Sequence, residues 1–232
     1  TLRRYILRQV IVFNENWTFT KPGNAPIPVR LPHTWNAQDG QDGGNDYWRG
    51  TAVYEKEFFR PDWFGEIVLE FAGAAMSADV FVNGAQLAHH DGGYSTFRVN
   101  ITDALVPGNN KVTVSVDNSE NDRVYPQKAD FTFYGGLYRD VQLLLLPPEH
   151  FEVCKDGTPG IKVTPVVKGS AAEVTVETWQ NGEGTVSFRF GDEVYTAESR
   201  NGHASVTFPI ENVHLWDGVN DPYLYSIEAQ FG

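Results

Sequence analysis

Residues 130–140, DFTFYGGLYRD, hold the residue types that a sugar site needs. The carboxylate of Asp130 can accept hydrogen bonds from hydroxyls, and the rings of Phe131, Phe133 and Tyr134 can cover the C–H face of a pyranose. The paired Gly135 and Gly136 let the backbone take a positive φ or approach a ligand closely. The same stretch also reads as a polar turn entering a buried strand, with Asp130 a solvated loop charge. Residue chemistry alone leaves both readings open. A second stretch, Tyr47, Trp48, Arg49 and Gly50, follows LPHTWN at 31–36 and leads into a strand-like run at 51–59. Trp48 and Arg49 beside a rigid strand fit the rim of a sugar pocket, since a guanidinium offers several fixed donors to hydroxyls or a carboxylate. Trp35 and Trp48 fit core plugs equally well, with Arg49 a surface partner.

Other clusters are weaker. The loop DGQDGGND at 39–46 offers Asp39, Asp42, Asn45 and Asp46 as oxygen ligands, but the spacing is not that of an EF-hand, which needs a bidentate Glu at its twelfth position. His89, His90 and Asp91 are adjacent, and adjacent side chains on a strand point to opposite faces, so they read as a surface turn. No metal site is expected. There is no phosphate-cradling glycine loop, GxSxG elbow or metalloprotease helix, so nucleotide and serine-hydrolase chemistry are disfavoured and no cofactor is expected. The sequons at 16–18 and 100–102 fall where strands are expected and carry no assigned function.

The elements that must position these residues are strands. Helical periodicity is nearly absent, and short alternating runs recur between Gly, Pro, Asn and Asp clusters. In 66–71, Ile67, Leu69 and Phe71 oppose Glu66, Val68 and Glu70; in 111–116, Val112, Val114 and Val116 oppose Lys111, Thr113 and Ser115. Asn83-Gly84 between two such runs predicts a type I′ hairpin. After Pro147-Pro148, further strands are expected at 161–167, 173–179, 185–190, 203–208 and 223–230, joined by short turns. About 85 residues with that spacing suit an immunoglobulin-like sandwich. A final strand with no turn and partner to cover its edge reads as a chain cut from something longer.

Composition bounds the partners. The formal net charge is −12 and the only adjacent basic pair is Arg3-Arg4, which leaves no surface to neutralise phosphates, so nucleic acid is excluded as an expected partner. The longest apolar run, 141–148, contains Gln142 and falls short of the roughly 20 residues of a membrane-spanning helix, so no membrane partner is expected. Cys154 is the sole cysteine and a reducing compartment is permitted. A cytoplasmic location is the expectation, with secretion left open.

Taken together, the segments LPHTWN (31–36), YWRGTAVYEKEF (47–58), VFVNG (80–84), GGYSTFRVNIT (92–102), GNNKVTVSVDN (108–118), FYGGLYRDVQL (133–143) and WDGVNDPYLYSIE (216–228) resemble the amino-terminal part of glycoside hydrolase family 2. That family contains β-galactosidases, β-glucuronidases and β-mannosidases. The resemblance implies an all-β chain, a jelly-roll sugar-binding domain over 1–147 followed by an immunoglobulin-like sandwich over 148–232. A TIM barrel bearing the acid/base and nucleophile glutamates would follow, so no catalytic residue is expected here, and Asn14-Glu15 only imitates the family's acid/base pair. The implied partners are a carbohydrate substrate and that barrel, with homo-oligomers allowed. Asp130, six residues before Gly136, matches the position from which the family's jelly roll reaches the cleaved sugar, and Arg49 lies in the loop of a second polar contact. Trp48 and Tyr134 complete the expected substrate-binding set. A β-galactosidase-like front end is the first expectation and a β-glucuronidase front end the alternative. A free-standing carbohydrate-binding module or a structural sandwich would use the same residues without catalysis.

Overall fold

The computed structural model describes residues 7–37, 47–125 and 130–232, and the chain divides into two compact units, Thr1–Pro147 and Pro148–Gly232. The first contains β1 (Gln9–Val12), β2 (Trp17–Thr20), β3 (Ile27–Val29), β4 (Thr51–Phe59), β5 (Glu66–Phe71), β6 (Ser77–Val82), β7 (Ala85–Asp91), β8 (Phe97–Asn100), β9 (Asn109–Asp117) and β10 (Val141–Leu146). These form a four-stranded sheet in the order β1-β10-β5-β8 and a six-stranded sheet in the order β3-β2-β4-β9-β6-β7, with antiparallel pairing throughout.

One core fills the space between the two sheets. Ile67, Leu69, Phe71, Val141, Leu143 and Leu145 face it from the first sheet, while Ala52, Tyr54, Val80, Val112, Val114 and Val116 face it from the second. The alternation that predicted β9 therefore holds. In β5 it does not, because Val68 is as fully buried as its neighbours Ile67 and Leu69. Asn83 and Gly84 take φ of 50° and 87°, positive at both turn positions as a type I′ hairpin requires. Asn14, half of the pair that imitates a catalytic motif, is a buried splice: its Oδ1 accepts from Val141 N at 2.9 Å and its Nδ2 donates to Asp140 Oδ1 at 2.8 Å.

The second unit contains β11 (His150–Phe151), β12 (Ile161–Lys168), β13 (Ala171–Asn181), β14 (Thr185–Phe190), β15 (Glu193–Glu198), β16 (His203–Ile210) and β17 (Ile227–Phe231). In one sheet β13 lies between β12 and β16, and β11 also pairs with it; in the other the order is β15-β14-β17. Val174, Val176, Ala204 and Phe208 pack against Val186 and Phe188 between them. The expected strand at 223–230 is shorter than the sequence suggests. Tyr223 stacks on His214 at 4.1 Å and Tyr225 receives a hydrogen bond from His214 N at 2.8 Å, so those residues belong to a loop and pairing with β14 starts at Ile227.

Trp17 anchors the first unit's opening. It is buried, its indole donates to Phe13 O at 2.7 Å, and Phe13 meets it edge to face at 6.0 Å. Trp17→Phe removes ring volume and orphans a carbonyl, and is expected to lower unfolding free energy by about 2–4 kcal/mol. Urea denaturation of the wild-type and variant chains, read as a shift of midpoint at constant slope, measures this.

Candidate functional site

Four separate stretches meet at one end of the first unit: 33–36, 48–50, Asn118 after β9, and 130–137 before β10. Two fully buried amides join them. Asn36 Oδ1 accepts from Gly135 N at 2.8 Å and from Asn118 Nδ2 at 3.2 Å, and Asn36 Nδ2 donates to Trp48 O at 2.8 Å. Asn118 Nδ2 also donates to Phe133 O at 2.8 Å, while its Oδ1 accepts from Gly50 N at 2.9 Å. An interior amide is tolerated only when its donors and acceptors are matched, and here the matching partners are the backbones of the three loops.

The glycine pair admits nothing larger. A Cβ on Gly135 would stand 2.0 Å from Trp35 Cζ2, and Gly136, at φ 131°, would place one 2.5 Å from His33 O. Their backbone is pinned from several sides. Gly135 O accepts from Thr34 Oγ1 at 2.8 Å, and Gly136 exchanges hydrogen bonds with Ala75 at 3.0 and 3.3 Å. This close approach makes the turn rigid.

The predicted site residues divide in role. Asp130 is exposed, and among the described residues no side chain bonds it. Tyr134 and Phe131 are partly exposed beside it, at 38% and 50%. Phe133 is instead buried, so it cannot cover a sugar face; it packs with Ala75, Met76 and Val124, and Phe131 leans on it at 5.1 Å. Arg49 lies over the Phe133 ring at 5.0 Å and its Nε donates to Asn118 O at 2.6 Å. Trp48 meets Trp35 edge to face at 5.5 Å against the core, with Lys21 Nζ 4.3 Å above its ring. Arg49 and Trp48 thus hold the floor on which Tyr134 and Asp130 stand.

A further cluster steadies the stretch leading towards Asp130. Asp91 accepts from Ser77 Oγ at 2.6 Å and from Arg123 Nε at 2.9 Å, and His89 Nε2 lies 3.1 Å away. His89 Nδ1 also meets Asp79, its partner across β6 and β7, at 2.7 Å. The surface-turn reading of 89–91 is corrected: these residues end a strand, and their cross-strand pairing decides their contacts. His90 stacks on Phe97 at 4.2 Å. Among the described residues no cluster of ligating side chains could hold a metal ion, and the loop 39–46 lies outside them. Next to Arg123, Val124 is buried against Phe133, which ties residues 121–124 to the floor. The residues that sequence reasoning passed over are Asn36, Asn118 and Arg123. Asn36 and Asn118 sat inside the quoted motifs LPHTWN and GNNKVTVSVDN, but nothing in an asparagine's type announces burial.

Partial burial works against ionisation of Asp91, yet the Ser77 hydroxyl, Arg123 and His89 together hold its pKa down at about 2. Hydrogen bonds to Asp79 and Asp91 raise that of His89. A depressed carboxyl contributes stability above its unfolded value and loses it as pH falls; a raised imidazole contributes below its unfolded value and loses it as pH rises through the folded one.

Comparison with known proteins fits this architecture. The chain belongs to the glycosyl hydrolases of family 2, whose sugar binding domain matches residues 9–147. Within that family it is 36% identical over 242 residues to a β-glucuronidase of Bacteroides fragilis, which covers 95% of this chain and 35% of that protein. It is 27% identical over 252 residues to a β-galactosidase of Thermoanaerobacterium thermosulfurigenes, covering 96% of this chain and 35% of the relative. The crystal structure of an FMN-binding β-glucuronidase from Facaelibacterium prausnitzii L2-6 superposes with a TM-score of 0.81 at 37% identity, over 96% of this chain and 36% of that one. This chain spans about a third of the length of the curated relatives it matches.

Two outcomes follow from this geometry. Asn36→Ala leaves Gly135 N, Trp48 O and Asn118 Nδ2 short of partners, at about 1–3 kcal/mol for each group that water cannot reach. Amide exchange at Gly135 should accelerate by about tenfold or more even where the chain stays folded. Separately, exchange protection at Arg123 and Val124 should peak between about pH 4 and pH 6.5 and fall below pH 4. Asp91→Asn should abolish the acid limb and His89→Gln the alkaline one.

Proposed function

We propose that this chain is the non-catalytic front part of a retaining β-glycosidase and that Asp130 hydrogen-bonds hydroxyls of the sugar whose bond is cleaved. The observation that carries this is an exposed, chargeable carboxylate only three residues from a fully anchored ring, Phe133, and six from the immobile Gly136. Such anchoring fixes the backbone a few residues beyond the carboxylate, so that ordering on ligand arrival is confined to Asp130 and its immediate neighbours. Tyr134 offers a ring and a hydroxyl beside it, while Arg49 and Trp48 keep the floor in place.

Retaining hydrolysis needs two carboxyl groups about 5–5.5 Å apart, one protonating the leaving oxygen and the other attacking the anomeric carbon. In this reading both come from a further domain, and the chain contributes binding energy that strengthens as the ring distorts towards the oxocarbenium-like state. Terminal β-glucuronides are the favoured substrates and β-galactosides the second reading; the higher identity to a β-glucuronidase supports that order.

The 232-residue chain alone should not hydrolyse 4-nitrophenyl β-glucuronide or 4-nitrophenyl β-galactoside. In the longer enzyme, Asp130→Asn should lower kcat/KM by tenfold or more, the range of a lost hydrogen bond to a charged group, with the melting temperature unchanged. Unchanged kcat/KM in a folded Asp130→Asn enzyme would remove the proposed role.

A further inference from the structure

Three Asn-Gly steps lie in the chain, at 83–84, 181–182 and 201–202. Such a step is chemically weak, because glycine has no Cβ to shield its amide nitrogen from the side chain before it. Asn181 closes β13 and is paired opposite His150, which holds its backbone extended. The other two steps form the same kind of turn. Asn83 and Gly84 take φ of 50° and 87°, Asn201 and Gly202 take 54° and 71°, and both asparagines are exposed. Neither exposure nor backbone conformation separates them.

Their side chains do. Asn83 Nδ2 donates to Ala104 O at 2.9 Å and to Asn110 Oδ1 at 2.8 Å, and its Oδ1 accepts from Lys111 N at 3.0 Å. Both ends of that amide are committed, so its Cγ reaches the nitrogen of Gly84 only after these bonds break. The side chain of Asn201 bonds no group among the described residues, and its amide is free to rotate. Backbone alone holds its turn. Arg200 and His203 exchange hydrogen bonds at 2.9 and 3.1 Å, and Gly202 O accepts from Gln180 N at 2.9 Å. A hairpin end tied by so few bonds opens locally far more often than the whole unit unfolds.

We infer that Asn201 is a site of spontaneous covalent modification, from which the side-chain bonds of Asn83 protect the equivalent turn. The nitrogen of Gly202, having given its proton to hydroxide, attacks Cγ of Asn201; a C–N bond forms, the bond from Cγ to the side-chain nitrogen breaks, and ammonia leaves. Water then opens the cyclic imide. Addition at the main-chain carbonyl gives isoaspartate, whose backbone runs through Cβ and Cγ, and addition at Cγ gives aspartate. Either product carries a new negative charge, and nothing is oxidised or reduced. Isoaspartate also lengthens a two-residue turn by one backbone atom, which draws Arg200 from His203 and Gly202 O from Gln180 N. The start of β16 at His203 is thereby loosened from β13. None of this rests on the hydrolase reading.

The test is incubation of the folded 232-residue chain at mildly alkaline pH and physiological temperature, with peptide mass spectrometry resolving asparagine, aspartate and isoaspartate at positions 83 and 201. Asn201 should convert about tenfold or more faster than Asn83, the factor expected from the bonds that Asn83 must break. In concentrated guanidinium chloride the two rates should converge, because only the fold distinguishes the steps. Amide exchange at Gln180 should accelerate by about tenfold or more in the isoaspartate fraction. Asn201→Gly, which keeps a residue suited to this turn, should hold Gln180 exchange constant through the same incubation. The inference is overturned by the absence of isoaspartate at position 201 in the folded chain, by equal folded-state rates at 83 and 201, by a rate difference that persists in denaturant, or by unchanged Gln180 exchange in the isoaspartate fraction.

Discussion

The site end of the first unit depends on a single constraint: two buried amides must find partners for their hydrogen-bonding groups. Asn36 and Asn118 reach across to Trp48 O, Gly50 N, Phe133 O and Gly135 N. Leaving any of these unpaired in the interior would cost more than an ordinary hydrogen bond contributes, so the loops have one arrangement that satisfies the whole set. Gly135 and Gly136 are then dictated by the same demand, since Gly135 N can reach Asn36 only if no Cβ keeps Trp35 away. The polar floor specifies position, and the apolar sheets beneath it supply most of the cohesion.

Around that floor the charges are used differently. Arg49, placed by sequence at a sugar rim, divides its guanidinium between the Phe133 ring and Asn118 O. Asp91 gathers Ser77, Arg123 and His89 on the outer face of β6 and β7. These partly exposed pairs add little energy individually, but they share one carboxylate, so they hold Arg123 beside the buried Val124 together.

Much of the architecture was legible in the sequence because alternation and turn chemistry are local. The hairpin at Asn83-Gly84 and the buried face of β9 follow directly from residue order. Val68 escaped because period-two alternation cannot say that both faces of β5 are covered. Tyr223 and Tyr225 look like strand residues, and only the tertiary stacking on His214 keeps them in a loop. In the site, the exposure of Asp130 and the tightness of the glycine pair agree with their residue types. The burial of Phe133, Asn36 and Asn118 does not follow from type at all, because it is set by partners far along the chain.

That distance has a consequence for how the molecule is made. The bond from Gly135 N to Asn36 joins residues 99 apart, and those from Asn14 to Asp140 and Val141 join residues 126 and 127 apart. Contacts of such separation must overcome the loop-closure entropy of nearly the whole unit before they return any energy, which places them late in folding. During synthesis, Asn36, Trp48 and Asn118 would emerge with their polar groups facing water and would dehydrate only when β10 arrives to close the sheet. The end of this unit that carries these loops is therefore the last part to acquire its shape, and a nascent chain stalled before residue 141 would hold every one of those loop residues without their arrangement.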